Sequence, residues 1–266
     1  MRAWGSALLP IVVAFFFLAG CSEPVLNTQT GETVTKTLMY NLPADLGAVA
    51  DQVMVEIARG QVTYVNSAHR VTVVNLRVPA EYAGVLEEAT LTWETADGVL
   101  QPRLQLPEGF DRQLVDLEIA IKYPAEQLPA RIMVAVGTGD VVLTGVRGEL
   151  DIAVEHGSCR LEQAILQGNS RVVAGGGVLA DLADLRPGLH RLEAGFGLLE
   201  VSLPADAGVR VVARADFGEI LSHLDFGYLE LFDDTGVGAR LTGWLNAGGS
   251  ELELRVTSGN ISLFPR

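Results

Sequence analysis

His156 and Cys159 stand close together in VEHGSCRLE. At that spacing an imidazole could take a thiol proton, or both side chains could hold one zinc ion. Two groups complete neither chemistry, and no second His or Cys pair lies nearby in the sequence. Cys159 is therefore expected to pack as a small apolar residue beside a turn. The other histidines, His69, His190 and His223, fall in separate stretches with no common spacing. Carboxylates offer a second chemistry. Asp140, Asp216 and Glu219 lie at or near glycine turns, and two acids about 5 to 10 Å apart on neighbouring strands could act on a glycosidic bond. The aromatic residues that would line a sugar groove make up 6% of the chain, which argues against that use. Asp233-Asp234 could approach a cation, although paired acids in a polar loop read first as solvated charge. Ala174-Gly175-Gly176-Gly177 lacks the Gly-Lys-Ser/Thr of a phosphate loop, and no nine-residue aspartate repeat for calcium is present. These residues predict no enzyme activity, no cofactor and no metal site.

The elements that would carry these residues are short and repeated. Glycine corners recur at Gly139, Gly157, Gly176, Gly197 and Gly218, spaced 18, 19, 21 and 21 apart, and Gly259 follows 41 later, about two periods on. A fixed period near 20 residues marks a stacked array. Between corners, apolar residues alternate: Leu150, Ile152 and Val154 oppose Glu149, Asp151 and Glu155, and Leu252, Leu254 and Val256 oppose Glu251, Glu253 and Arg255. Period-two alternation means half-buried strands. One such strip cannot bury its apolar face alone, so neighbouring copies must stack. The expected fold is all-β, a single-stranded β-helix-like solenoid with rungs of about 20 residues; a β-sandwich with regularly spaced turns is the alternative.

Upstream of the array, Val53, Val55 and Ile57 run into Gly60, and Val62 and Tyr64 continue the alternation, predicting strand, corner, strand. The period breaks over Pro79 to Gln113. There Leu91, Trp93 and Thr95 lead to Asp97-Gly98, a hairpin signal, so a hairpin insertion is expected near 81–113, covering the first edge of the stack. Between Ile220 and Gly249 the pattern weakens, and the stretch from Phe226 to Gly236 is expected to be a longer loop or a degenerate rung.

The first residues are a targeting segment rather than fold. Arg2 precedes the apolar run Ala7 to Phe17, which ends in Leu18-Ala19-Gly20-Cys21. This resembles a bacterial lipoprotein signal, which implies cleavage before Cys21, lipidation of the Cys21 thiol and a membrane partner reached through the acyl anchor. Several buried acyl chains, at about 0.8 kcal/mol per methylene, hold a protein on a bilayer for long times. Ser22, in place of aspartate, is compatible with outer-membrane delivery in a Gram-negative envelope. The expected organisation is a signal peptide over 1–20, a flexible tether over 21–35 and a β-solenoid domain over 36–266. Formal charge is −14, and loss of Arg2 with the leader takes it to −15. Such a surface is wrong for nucleic acid, which is excluded as a partner.

The stretches VMVEIARGQVTYVNSAHRVTVV, LEIAIKYPAEQLPARIMVAVGTGDVVL, RLEAGFGLLEVSLPADAGVRVVARADFGEI and ELRVTSGNISLF share one plan. It is strand, a residue followed by proline, strand, then Gly-Asp or Gly-Asn, as at Tyr123-Pro124, Leu203-Pro204, Gly139-Asp140 and Gly259-Asn260. In this the chain resembles the bacterial adhesin-like β-strand repeat family, domains without assigned chemistry that are similar in pattern to autotransporter adhesin heads. The likeness covers most of the chain after about Thr35 and departs around Trp93 and Asp233. It implies an exported, envelope-associated β-solenoid. The expected function is a non-catalytic, lipid-anchored adhesin-like or scaffold element with a protein or glycan ligand. The alternatives are an envelope regulatory protein binding a signalling partner and a carbohydrate-active β-helix enzyme.

Overall fold

The computed structural model describes residues 25–27, 33–42, 46, 48–234 and 238–266. The signal segment 1–20 and Cys21 lie outside the described residues. Alternation of apolar and polar side chains makes most of the chain strand. The strands are β1 (Val25–Asn27), β2 (Thr33–Asn41), β3 (Gln52–Asn66), β4 (Val71–Pro79), β5 (Thr90–Ala96), β6 (Val99–Gln105), β7 (Asp116–Tyr123), β8 (Arg131–Thr144) and β9 (Arg147–His156). They continue as β10 (Cys159–Leu166), β11 (Arg171–Ala174), β12 (Val178–Leu185), β13 (Gly188–Leu203), β14 (Val209–Phe217), β15 (Ile220–Ser222), β16 (Tyr228–Asp234), β17 (Gly238–Leu245) and β18 (Ser250–Pro265). One short helix, α1 (Ala83–Glu88), precedes β5. The fold is all-β, with parallel strands closing around a shared apolar core and further strands laid outside them.

The parallel pairs are in register, so like faces like. On one wall Val134 pairs with Ile152, Ile152 with Val172, Val172 with Leu192 and Leu192 with Leu254. On the next wall Val62 pairs with Val141, Val141 with Cys159, Cys159 with Val178, Val178 with Leu199, Leu199 with Ile261 and Ile261 with Ile220. These side chains are buried and form the core. Between the walls the chain bends at glycine because nothing else fits. A Cβ at Gly139 would lie 1.7 Å from the Gly60 carbonyl oxygen, and one at Gly157 would lie 1.7 Å from that of Gly139. Both residues hold φ near +140° (137° and 144°), a region L-residues rarely adopt.

The order of the copies differs from their order in sequence. β18 lies between β13 and β14, pairing parallel with both, so Gly259 stands between Gly197 and Gly218. β18 inserts Leu252, Leu254, Val256, Ile261 and Leu263, all nearly inaccessible, and has a parallel neighbour on both sides. The alanine-containing β14 and the three-residue β15 are left further out.

Outer strands close the first end. β7 runs parallel to β3, and β4, β2 and β1 follow antiparallel, each on the last. Residues 21–35, expected as tether, are therefore strand in part. Val25–Asn27 pair with Thr35–Thr37, and Val34 is buried, because its apolar side chain falls on the covered face of β2. The β5–β6 hairpin turns at Asp97-Gly98, with φ of 51° and 75° as a two-residue hairpin turn needs, and meets β3 at Gln52 and Val53. α1 was not legible in the alternation. Its C-terminal carbonyls are gathered by the buried Lys36, whose Nζ donates to Leu86 O at 2.7 Å and Ala89 O at 3.0 Å. At the other end β17 lies antiparallel on β14, and β16 antiparallel on β17. The stretch expected as a loop or degenerate rung is thus an ordinary antiparallel strand over Tyr228–Asp234, because Leu229 and Leu231 alternate with Glu230.

Candidate functional site

The corners position most of the candidate residues, and register decides which can cooperate. Asp140 follows the Gly139 corner, and its Oδ1 accepts the Ser158 backbone N–H at 2.8 Å. Asn260 does the same one corner from the far end, accepting the Glu219 N–H at 3.0 Å. Asn169 accepts the Leu189 N–H at 3.1 Å. At a corner the strand-to-strand ladder loses its partner carbonyl, and a short Asp or Asn side chain supplies the missing acceptor. The Gly-Asp and Gly-Asn dipeptides are thus explained by backbone satisfaction.

Asp140 and Glu219 are not a catalytic pair. Their corners are joined by the ladder Val141–Cys159–Val178–Leu199–Ile261–Ile220. At ~4.8 Å per strand the two ends are ~24 Å apart, well beyond the separation that glycoside cleavage uses. Asp216 is held by Arg214 Nε at 2.5 Å and Arg255 Nη2 at 2.8 Å. The hydrogen bond from Arg255 is the first cause holding its carboxyl below the usual aspartate range, with Arg214 adding to it. A carboxylate so fixed in its ionised form is a poor proton donor.

Cys159 faces the core between Val141 and Val178, and burial pushes its thiol up to about 12. His156 is exposed whereas Cys159 is buried, so imidazole and thiol share no site. His190 is fully buried opposite Leu252. Its Nε2 lies 2.8 Å from Arg186 O, and its Nδ1 has no partner. His223 stacks on Phe264 at 5.0 Å. His69 belongs to the loop before β4, where its N–H donates to Ser67 Oγ. Asp233 and Asp234 end β16 rather than occupying a loop. Among the described residues, no group of three or more His, Cys, Asp and Glu could hold a metal ion. No helix of the described residues is long and apolar enough to cross a membrane.

Two surfaces that sequence reasoning missed are better candidates. The first is an open polar cleft of ≈ 280 Å³ beside the first corners, lined by Arg59, Gln61, Arg77, Asp116, Glu118, Thr138 and Asp140. Arg77 and Glu118 pair across it at 2.9 Å, with Asn75 Nδ2 also donating to Glu118. The cleft was illegible because Arg77, Asp116 and Glu118 come from β4 and β7, and the pairing of β7 parallel to β3, with β4 antiparallel on β7, joins stretches far apart in the chain.

The second is apolar and lies at the β14–β18 end. Phe196 and Phe217 both pair with Ser258, from either side of β18, and are 69% and 61% exposed. Beyond β14, Leu229 and Leu231 of β16 are 47% and 54% exposed. On its other face Tyr228 packs against Trp244, over which the Arg210 guanidinium lies at 5.4 Å. The signal that could have found this surface is Phe immediately before Gly197 and Gly218, where other corners carry Arg59, Thr138, His156 and Ser258.

No family model matches the chain, and no curated protein matches its sequence. Solved structures do align with it. One is a protein from Clostridium sporogenes provisionally described as a cell adhesion protein, at 12% identity over 87% of this chain and 100% of that one, with TM-score 0.48. A provisional adhesin from Bacteroides fragilis aligns at 11% identity over 86% and 96% of the two chains, with TM-score 0.33. A protein from Parabacteroides distasonis provisionally described as lipid-binding aligns at 9% identity over 89% and 95%, with TM-score 0.28.

Proposed function

We propose that this chain is a lipid-anchored protein of the bacterial cell envelope, held by acyl chains on Cys21 and delivered to the outer membrane where the envelope has one. Its in-register parallel strands would form a single-stranded β-solenoid that acts without catalysis, as an adhesin-like or scaffold element presenting a binding surface. The observation that carries this reading is the exposure of the large apolar side chains Phe196, Phe217, Leu229 and Leu231 on strands toward one end of the fold. Grouped apolar exposure of this kind marks an interaction surface. The engagement of Asp140, Asp216 and Cys159 in the fold also supports a binding role over an enzymatic one.

Two measurements test it. Radioactive palmitate should label the chain and fail to label a Cys21→Ala variant; equal labelling of both would refute the anchor. Co-purification from envelope fractions should recover a partner with the parent and lose it with a Phe196→Ser/Phe217→Ser variant of unchanged stability. Turnover of a polysaccharide in a hydrolysis screen would overturn the non-catalytic reading. A second reading, an envelope regulator binding a signalling protein, is favoured by the side of β16 that pairs with no strand among the described residues.

A further inference from the structure

The polar cleft beside the first corners is floored by main chain. Gly60 of β3 pairs with Gly139 of β8 on one side and with Leu117 of β7 on the other, and neither glycine has a side chain to fill the space. Around this floor stand two cations, Arg59 and Arg77, and three carboxylates, Asp116, Glu118 and Asp140.

Three of these charges are already engaged. Arg77 lies opposite Asp116 in the β4–β7 ladder, yet its Nη2 donates to Glu118 Oε2 at 2.9 Å. Asn75 Nδ2 donates to the same oxygen at 3.0 Å, and Asp140 accepts the Ser158 N–H. One charge of each sign is left. Among the described residues, neither Arg59 nor Asp116 has a side-chain hydrogen bond or an ion pair. The residues that follow them, Gly60 and Leu117, are ladder partners, and paired strands lie ~4.8 Å apart. Both charges therefore open on one cleft, beside the Gln61 amide and the Thr138 hydroxyl. The carboxylates do not gather around a cation: among the described residues no three acids could hold a metal ion.

We propose that this cleft binds a small zwitterion of dipeptide size, with its ammonium on Asp116 and its carboxylate on Arg59. Charge decides the class. A ligand of one sign would pair with one of these groups and cover the other, and a neutral ligand would cover both. A charge taken from water without a partner is costly, so a ligand carrying both signs compensates what the others strand. The guanidinium fork matches a carboxylate with two parallel hydrogen bonds, and Gln61 and Thr138 offer a donor and acceptors to the peptide group between the ends. Size agrees. A volume of ≈ 280 Å³ is at the small end of ligand sites, which begin at about 300 Å³, and suits two residues rather than a long chain. The site lies apart from the Phe196–Phe217 surface and needs neither that surface nor the Cys21 anchor, so failure here leaves both untouched.

The test is isothermal titration calorimetry on the full chain purified in detergent, at low salt. The probes are dialanine, its N-acetyl form, its C-terminal amide and the uncharged disaccharide cellobiose. Dialanine should bind at millimolar concentration or below, and more weakly as salt rises. Each blocked form should bind about tenfold more weakly than dialanine. Arg59→Gln should weaken dialanine about tenfold and erase its advantage over the amide, and Asp116→Asn should do the same for its advantage over the N-acetyl form. Neither side chain has a partner within the fold, so melting temperature should not move. Equal binding of dialanine and either blocked form would overturn the proposal. So would indifference to either variant, tighter binding of cellobiose than of dialanine, or no binding of dialanine.

Discussion

Asp140 reaches across one strand spacing to accept the Ser158 backbone N–H at 2.8 Å, and Asn260 repeats this toward Glu219 at 3.0 Å. The side chain is an acceptor for the neighbouring copy, and its charge is incidental. Asp140→Asn should leave stability within ~0.5 kcal/mol, whereas Asp140→Ala should cost ~1 kcal/mol by leaving that N–H to solvent. Urea unfolding of the two variants measures the difference, and equal losses would mean that the carboxylate charge itself matters.

The corner column predicts a sharp contrast between glycines. Gly139→Ala places a Cβ against the Gly60 carbonyl and demands φ of 137° from alanine. It should cost more than ~3 kcal/mol or prevent folding. Gly84→Ala, where a Cβ meets nothing within 4 Å, should be neutral or gain a few tenths of a kcal/mol. Thermal melting of both variants checks the pair.

Lys36 places a buried ammonium among the carbonyls that end α1, donating to Leu86 and Ala89. Lys36→Met keeps the length and apolar stem but strands those acceptors. A loss of ~2 kcal/mol is expected, with faster hydrogen exchange confined to α1 and β2. An unchanged exchange pattern there would show that the ammonium has no role in seating the helix.

His190 is buried with Nδ1 unpartnered, and desolvation lowers its pKa below the ordinary 6.5, opposed in part by the hydrogen bond to Arg186 O. The unfolded chain therefore binds the proton that the folded chain refuses. Stability from this group is complete above about pH 6.5 and declines as pH falls from there toward the native pKa. Urea midpoints between pH 8 and 5 should drop for the parent and drop less for His190→Leu. Parallel slopes would remove His190 as the cause.

Much of the interior was readable from residue type alone. Alternation placed Leu150, Ile152 and Val154 inward, glycine spacing located the corners, and Cys159 was expected in the core, where it lies. Asp97-Gly98 announced its hairpin for the same local reason, since φ/ψ preferences act within one or two residues. The sites were less legible. Asp140 and Glu219 looked alike in sequence because both follow a corner glycine, yet one side chain accepts a backbone hydrogen bond and the other lies exposed, ~24 Å along the ladder.

Alternation in a chain says which face of a strand turns inward and is silent about which strand lies alongside. Every copy offers the same apolar strip, so local chemistry does not distinguish β14 from β18 as the neighbour of β13, and it is β18 that takes the place. The same holds for the β4 and β7 side chains brought to the first corner and for the side of β16 left without a partner strand among the described residues. Sequence by itself determined the strands, their inward faces and their glycine bends. Tertiary structure decided their order, their outer strands and their exposed edge, because those depend on contacts between residues far apart in the chain.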